Sequence, residues 1–331
     1  MMPQLIDLLA EDGEELCRAA SAIGGKIEFC PHQALERDTN FELQAPSQWS
    51  PNGNCRLIKA QSGWFAANLA REDDRLAVPA WTGSAPGTDP WDALVQAAAA
   101  RDVEEMVAAG LELHLPVSRV YETAPLPSPV TRAATGVQRR ARPKVVDLSA
   151  LWAGPYCGGL LAQTGMDVTR IESTTRPDPT PDTSPLLDQH INGGKMRVWL
   201  PPDDALVSQL IVDSDILITS ARKHSLARLG LSEDRLFELN PGLIWVAITA
   251  HGWSGEGEMR VGFGDDCAAA GGLVTWQNGH PNFMGDALAD PLAGIAAATI
   301  AMQMLSEGQG GLVDIALART AAQMAARLGL R

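Results

Sequence analysis

An aspartate placed where a glycine-rich loop runs into an apolar helix is the clearest opportunity for chemistry in this chain. The run is Gly285-Asp286-Ala287-Leu288-Ala289-Asp290-Pro291-Leu292-Ala293-Gly294, and the apolar pattern predicts a helix from Leu292 through Leu305. Unpaired backbone N–H groups and the helix dipole keep a carboxylate ionised at such an entrance. Asp290 then has two readings. One is a plain N-cap, Asp followed by Pro at the first helical position. The other is a carboxylate nucleophile that takes an acyl group from a thioester. Spacing alone leaves both open, and caps are the more ordinary use of such residues.

Other constellations carry less. His251 follows an apolar run in Ala250-His251-Gly252-Trp253 and reads as a loop histidine. Asp265 and Asp266 are adjacent, so they read as a helix cap rather than a paired acid and base. No Gly-x-Ser-x-Gly elbow and no Walker loop is present. The turn Ala153-Gly154-Pro155-Tyr156-Cys157-Gly158-Gly159 stands where a dinucleotide fingerprint would, with Glu172 as its acidic partner. Pro155 and Tyr156 stand where the tight glycine spacing should be, which argues against hydride transfer.

These residues need elements to position them. After residue 140 strand and helix patterns alternate, the signature of a parallel sheet with crossover helices. Val145 to Leu148 predicts a buried strand, Ala153-Gly154-Pro155 a turn, and Tyr156 to Gln163 a helix. Val168 to Glu172, Asp215 to Ile218 and Leu243 to Ile248 predict further strands, with a helix from Glu233 to Leu239. The first part reads as mixed α/β. Ser62 to Leu69 predicts a turn feeding a strand, Pro90 opens an alanine-rich helix, and Val103 to Ala109 a helix that Gly110 could cap. Leu115 to Val120 returns to an extended form. Between Ala124 and Lys144, clustered prolines followed by arginines predict an exposed linker. The expected division is therefore 1–140, a small mixed α/β domain with its linker, and 141–331, a Rossmann-like open parallel sheet.

The chain has 331 residues and a net charge of −14, so long-range electrostatics oppose nucleic acid and anionic membranes. An anionic ligand needs a local basic patch. The run Arg132 to Lys144 and the pair Arg222-Lys223 offer candidates, although a solvated face explains both. Five scattered cysteines have no metal-ligand spacing with the six histidines, and suit thiols in a cytoplasm. The N-terminus reads as an acidic amphipathic stretch rather than a signal peptide. The apolar helix from Leu292 falls short of the roughly 18 residues of a membrane span.

Many collinear motifs resemble family III CoA-transferases, also called the CaiB/BaiF or formyl-CoA transferase family. Asp147-Leu148-Ser149 through Ala153-Gly154-Pro155-Tyr156-Cys157 and Gly165 through Glu172 resemble the family's opening. Asn192 with Lys195 resembles its Asn-Lys motif, Leu226 to Leu231 its Leu-x-Arg-Leu-Gly-Leu stretch, and Leu239 to Ile244 its Leu-Asn-Pro-x-Leu-Ile. Asp290-Pro291-Leu292-Ala293-Gly294 matches its Asp-x-x-x-Gly, and Gly308 to Asp314 its closing Gly-x-Gly-x-x-Val-Asp. The resemblance runs from about Val145 to Leu317. It implies acyl-CoA:carboxylate CoA transfer without metal, with Asp290 as the catalytic aspartate. It also implies coenzyme A contacts at Lys195, Arg228, Gly154, Pro155 and Leu200, an acyl-CoA donor and carboxylic acid acceptor, and an interlocked homodimer.

The chain departs from the family pattern in places. Ala150, Leu151 and Trp152 precede the Ala-Gly-Pro turn, Ser220-Ala221 replaces a frequent Asn-Phe pair, and Ser173 replaces a frequent basic residue. The family's racemases pair their aspartate with a histidine in Gly-His-Asp. Here Phe263 and Gly264 precede Asp265, which argues against two-base proton transfer. The stretches Ser62 to Leu69 and Leu113 to Val117 resemble the family's small domain yet come first, so the order reads as permuted or as part of a longer or tandem polypeptide. Two alternatives stay open: a racemase or isomerase of the same family, and a catalytically silent CoA-binding subunit. From composition alone, backbone N–H groups of the glycine-rich segments near Gly271-Gly272 are expected to hold the oxyanion.

Overall fold

A computed structural model of the chain describes residues 1–37, 40 and 42–330, with the side chain of Arg132 outside the described set. Its strands are β1 (Cys55–Lys59), β2 (Trp64–Asn68), β3 (Val117–Arg119), β4 (Val130–Ala134), β5 (Lys144–Asp147) and β6 (Asp167–Ser173). They continue with β7 (Met196–Leu200), β8 (Ile216–Thr219), β9 (Ile244–Thr249), β10 (Val274–Gln277), β11 (His280–Phe283) and β12 (Gly310–Ala316). The chain forms two compact units, each built from three separate stretches. The first comprises Met1–Phe41, Ser128–Trp253 and Pro291–Ala316; the second comprises Glu42–Pro127, Ser254–Asp290 and Leu317–Arg331. The sequence reading divides the chain once, near residue 140. The structural units interleave because the chain leaves the large sheet after Trp253 and returns to it with Pro291.

The first unit holds a seven-stranded sheet in the order β4-β12-β9-β8-β5-β6-β7. All pairings are parallel except β12 with β4. The parallel strands β8 and β9 are near-continuous apolar runs because helices cover both faces of such sheets. Strand β4 lies inside the stretch expected to be a linker. Its proline-rich start cannot donate to a ladder, yet Val130–Ala134 pairs along the edge of β12, where an antiparallel strand adds easily. From β5 the chain builds outward through β6 and β7, then crosses back to β8, β9 and β12. Strands β5 and β8 therefore flank the point where strand order reverses, the place where open α/β sheets bind ligands at their carboxyl ends.

The turn expected at Ala153-Gly154-Pro155 is instead the first turn of the helix Ala153–Gln163. Pro155 fits there because its missing N–H would be unpaired in any case. A Cβ on Gly294, in the helix Ala289–Ser306, would lie 2.8 Å from the Ala153 carbonyl and 3.0 Å from the Tyr156 ring. Glycine at that position lets the two helices touch. The spacing of Asp-x-x-x-Gly thus has a mechanical sense: Asp290 lies one helical turn, about 6 Å, before the packing glycine.

The second unit contains the antiparallel sheet β1-β2-β3, the β10–β11 hairpin, and helices packed on them. Its core joins Phe65, Leu69, Val78, Trp81, Leu94 and Met106. Gly110 does not cap the helix Val103–Glu112 but sits inside it, where a Cβ would come within 2.8 Å of Val117 and 2.9 Å of Trp81. Among the described residues no disulfide joins any of the five cysteines. No helix of the described residues is long and apolar enough to cross a membrane.

Candidate active site

The surroundings of Asp290 are assembled in the second unit. Its helix, Ala289–Ser306, begins one residue earlier than a cap would require, so Asp290 and Pro291 both lie in the first turn. The Asp290 N–H donates to the Ala287 carbonyl at 2.9 Å. Ala287 is left-handed, with φ +46°, a region that side chains with a Cβ avoid. Asp265 holds it there by accepting the Ala287 N–H at 2.7 Å. The other Asp265 oxygen accepts from Asn52 at 2.8 Å, and the same Asn52 amide nitrogen donates to Asp286 at 2.6 Å. Gly264 opens the underlying helix, Gly264–Gly271. A Cβ there would lie 2.6 Å from the Ala287 carbonyl oxygen and 2.7 Å from its Cβ, and closer still to Asp290 Oδ2. The Asp290 carboxylate rests over that bare backbone, half-buried.

Asp266 caps the same helix, accepting the Phe263 N–H at 2.8 Å, and also accepts from Asn68 at 3.2 Å. Its carboxyl is fully buried, and burial pushes its pKa up to about 8. The folded value lies above the ~3.9 of an unfolded chain. Its stabilising contribution is therefore complete below pH ~4 and is lost as pH rises toward 8. We expect wild type to lose stability across that window relative to Asp266→Asn in denaturant melts at several pH values. Identical pH slopes for the two proteins would contradict a buried protonated Asp266. Burial likewise raises the thiols of Cys55, Cys157 and Cys267, which keeps them from acting as thiolate nucleophiles.

Gly271 and Gly272 do not provide oxyanion donors. Gly271 is packed so tightly that a Cβ would lie 2.5 Å from the Ala322 nitrogen, and the Gly272 N–H already donates to Ala269 at 3.0 Å. These glycines serve close helix packing and a left-handed helix end. His251 sits half-buried in the loop after β9.

The residues expected to contact coenzyme A fall in the first unit and are not equivalent. The Lys195 ammonium is buried and bonds to Asp147 at 2.7 Å, the Pro155 carbonyl at 2.6 Å and Asn192 at 2.8 Å. Three acceptors match its three donors, so Lys195 ties β5 to the following helix instead of reaching outward. Burial opposes a charged Asp147, but Lys195 and Arg170 hold its carboxyl below the usual range. Lys195→Met should destabilise the protein by about 3 kcal/mol, because it strips a buried carboxylate of its closest partner. Urea titration measures this. Unchanged stability with weakened acyl-CoA binding would instead make Lys195 a ligand contact.

Gly154 is a packing residue, since a Cβ there would collide with the Ser149 side chain. Leu200 is half-buried at the end of β7 and packs against the sheet's core. Arg228 ends the short helix Lys223–Arg228 and is exposed. Glu172 is committed to Arg170 at 2.6 Å, so it does not offer a ribose contact. At the reversal point, the Ala150 N–H donates to Ser220 Oγ across β5 and β8 at 2.9 Å. Leu151 is left-handed at φ +68°, exposed, and held by Asp178, which accepts its N–H at 2.9 Å. Asp178 also pairs with the buried Arg170 at 2.7 Å. No local spacing marks Asn52, Gly264 or Asp178 as site residues. Only the pair Asp265-Asp266, already readable as a cap, signals this region.

The model of CoA-transferase family III matches residues 141–330. The chain is similar to succinyl-CoA–D-citramalate CoA-transferase of Chloroflexus aurantiacus, with 31% identity over 54% of this chain and 50% of that enzyme. It is also similar to succinate–glutarate CoA-transferase of Agrobacterium fabrum, with 28% identity over 53% and 50% of the two chains. The beta subunit of succinyl-CoA–L-malate CoA-transferase from Chloroflexus aurantiacus is 31% identical over 53% and 48%. The chain thus spans about half the length of the curated relatives it matches. Among solved structures, a CaiB/BaiF family protein from Brucella suis superposes with a TM-score of 0.52 and 26% identity, covering 59% of this chain and 56% of that one.

Proposed function

Since the chain belongs to CoA-transferase family III, we propose that it moves coenzyme A from an acyl-CoA donor to a carboxylic acid through covalent acylation of Asp290. The observation that carries this reading is the Asp290 carboxylate, on the first turn of its helix and held over Gly264. The helix dipole favours the ionised form a nucleophile needs.

One carboxylate oxygen attacks the donor thioester carbonyl, the C–S bond breaks, and CoA leaves as thiolate. The resulting mixed anhydride is attacked at the aspartyl carbonyl by that thiolate, which releases the donor acid and leaves an aspartyl-CoA thioester. The acceptor carboxylate then attacks the aspartyl carbonyl and expels the thiolate again. Attack of the thiolate on the acceptor's acyl carbon forms the product and frees Asp290. Every intermediate conserves an activated acyl bond, so no ATP or metal is needed.

The reversal point between β5 and β8 is the nucleotide-binding end we propose for the first unit, in keeping with the ligand position common to open α/β sheets. Arg222 and Lys223 begin the helix after β8 and Arg228 ends it, which makes them our candidates for the CoA phosphates. The Leu148 to Trp152 loop supplies backbone, with Gly154 and Pro155 shaping its exit. Lys195 acts there through Asp147 and Pro155. The relatives' names direct the substrate panel: succinyl-CoA with citramalate, malate and glutarate as acceptors. Product formation by chromatography with any of these pairs supports the assignment; donor hydrolysis alone across the whole panel would overturn it. We further propose a cytoplasmic dimer of identical chains. Light scattering tests this against mixed assembly, since some relatives are named as alpha and beta subunits.

A further inference from the structure

We infer that Asn52 is a positioning residue for the nucleophile, acting through the relay Asn52, Asp265, Ala287, Asp290. This rests on the reading of Asp290 as the acylated residue. Asn52 lies in the turn before β1, outside the stretch matched by the family model. Its carbonyl oxygen is fixed by two donors, Ser50 Oγ at 3.0 Å and the Asn54 N–H at 2.9 Å. That leaves its amide nitrogen aimed between two carboxylates, Asp265 at 2.8 Å and Asp286 at 2.6 Å. Both are buried, at 3% and 7% exposure, so their like charges repel through little solvent. An amide nitrogen with two hydrogens can satisfy both at once.

Asp265 in turn holds the Ala287 N–H, and Ala287 offers its carbonyl to the Asp290 N–H. Without the Asn52 donors the two carboxylates separate and Asp265 loosens its hold. Ala287 can then relax from the left-handed region, carrying the start of the catalytic helix with it. Asn52 touches no reacting atom. Its effect is the placement of one that does.

The test compares Asn52→Ala, Asn52→Asp, the charge-restoring pair Asn52→Asp with Asp286→Asn, and Asp290→Asn, in succinyl-CoA turnover and thermal melts. Asn52→Ala should lower kcat about 100-fold, the cost of a misplacement near 1 Å, with little change in KM for succinyl-CoA. Asn52→Asp keeps the size of the side chain but adds a third carboxylate, so it should be worse than alanine. Adding Asp286→Asn should recover part of the loss, and this pair carries the test if Asn52→Asp alone does not fold. A crystal structure of Asn52→Asp or of Asn52→Ala should show Ala287 displaced from its left-handed conformation, a readout that needs no substrate. The inference fails if Asn52→Asp works as well as wild type, if the pair recovers nothing, or if the 286–290 turn does not move. Normal exchange by Asp290→Asn would sink the nucleophile reading itself. A dead Asp290→Asn beside fully active Asn52 variants would sink only the relay.

Discussion

Asp290→Asn is expected to abolish CoA exchange while leaving the protein folded. The amide has the same shape and can sit over Gly264 as the carboxylate does, but it cannot form an anhydride. Loss of a covalent nucleophile removes the whole route, so turnover should fall on the order of 10^4-fold or more. Stability should change by no more than about 2 kcal/mol, the upper worth of a partly buried carboxylate at a helix N-terminus. Steady-state exchange and a thermal melt on the same sample test both halves. Residual exchange within tenfold of wild type would mean that another group carries the acyl transfer.

Gly264→Ala should also be damaging, by a different route. The added methyl meets the Ala287 carbonyl oxygen at 2.6 Å and its Cβ at 2.7 Å, and backbone cannot swing aside as a flexible side chain can. The 287–290 turn must move off the helix Gly264–Gly271, taking the Asp290 carboxylate with it. Overpacking of this kind costs about 1–3 kcal/mol. A nucleophile displaced by about 1 Å loses roughly 100-fold in rate. Melts and kcat together check this expectation. A fully active alanine variant would show that the carboxylate does not work from the observed position.

What the sequence disclosed tracks with what is local. Strands β8 and β9 were legible because buried parallel strands are continuous apolar runs, and the helix Glu233–Leu239 because its residues are contiguous. Asp290 was legible as a motif. Its setting was not, because Asn52 lies 213 residues from Asp265 and 234 from Asp286, and no spacing rule spans such a distance. Lys195 illustrates the opposite difficulty. A lysine in a motif reads as a phosphate ligand, and only the folded chain turns its three donors inward to Asp147, Pro155 and Asn192. The edge strand Val130–Ala134 was hidden by the prolines before it, which advertise a linker while the residues after them pair with β12. Gly271-Gly272 misled for a related reason. Paired glycines suit an anion site and a close helix packing equally well, and here the packing use prevails.

Trapping the covalent adduct is the most direct test. The protein is incubated with succinyl-CoA, treated with hydroxylamine and digested, and the peptide spanning residues 285–294 is sequenced by mass spectrometry. A hydroxamate on Asp290, dependent on the donor and missing from the neighbouring Asp286, is the predicted result. Exchange proceeding while Asp290 stays unmodified, or a label on any other side chain, would contradict it.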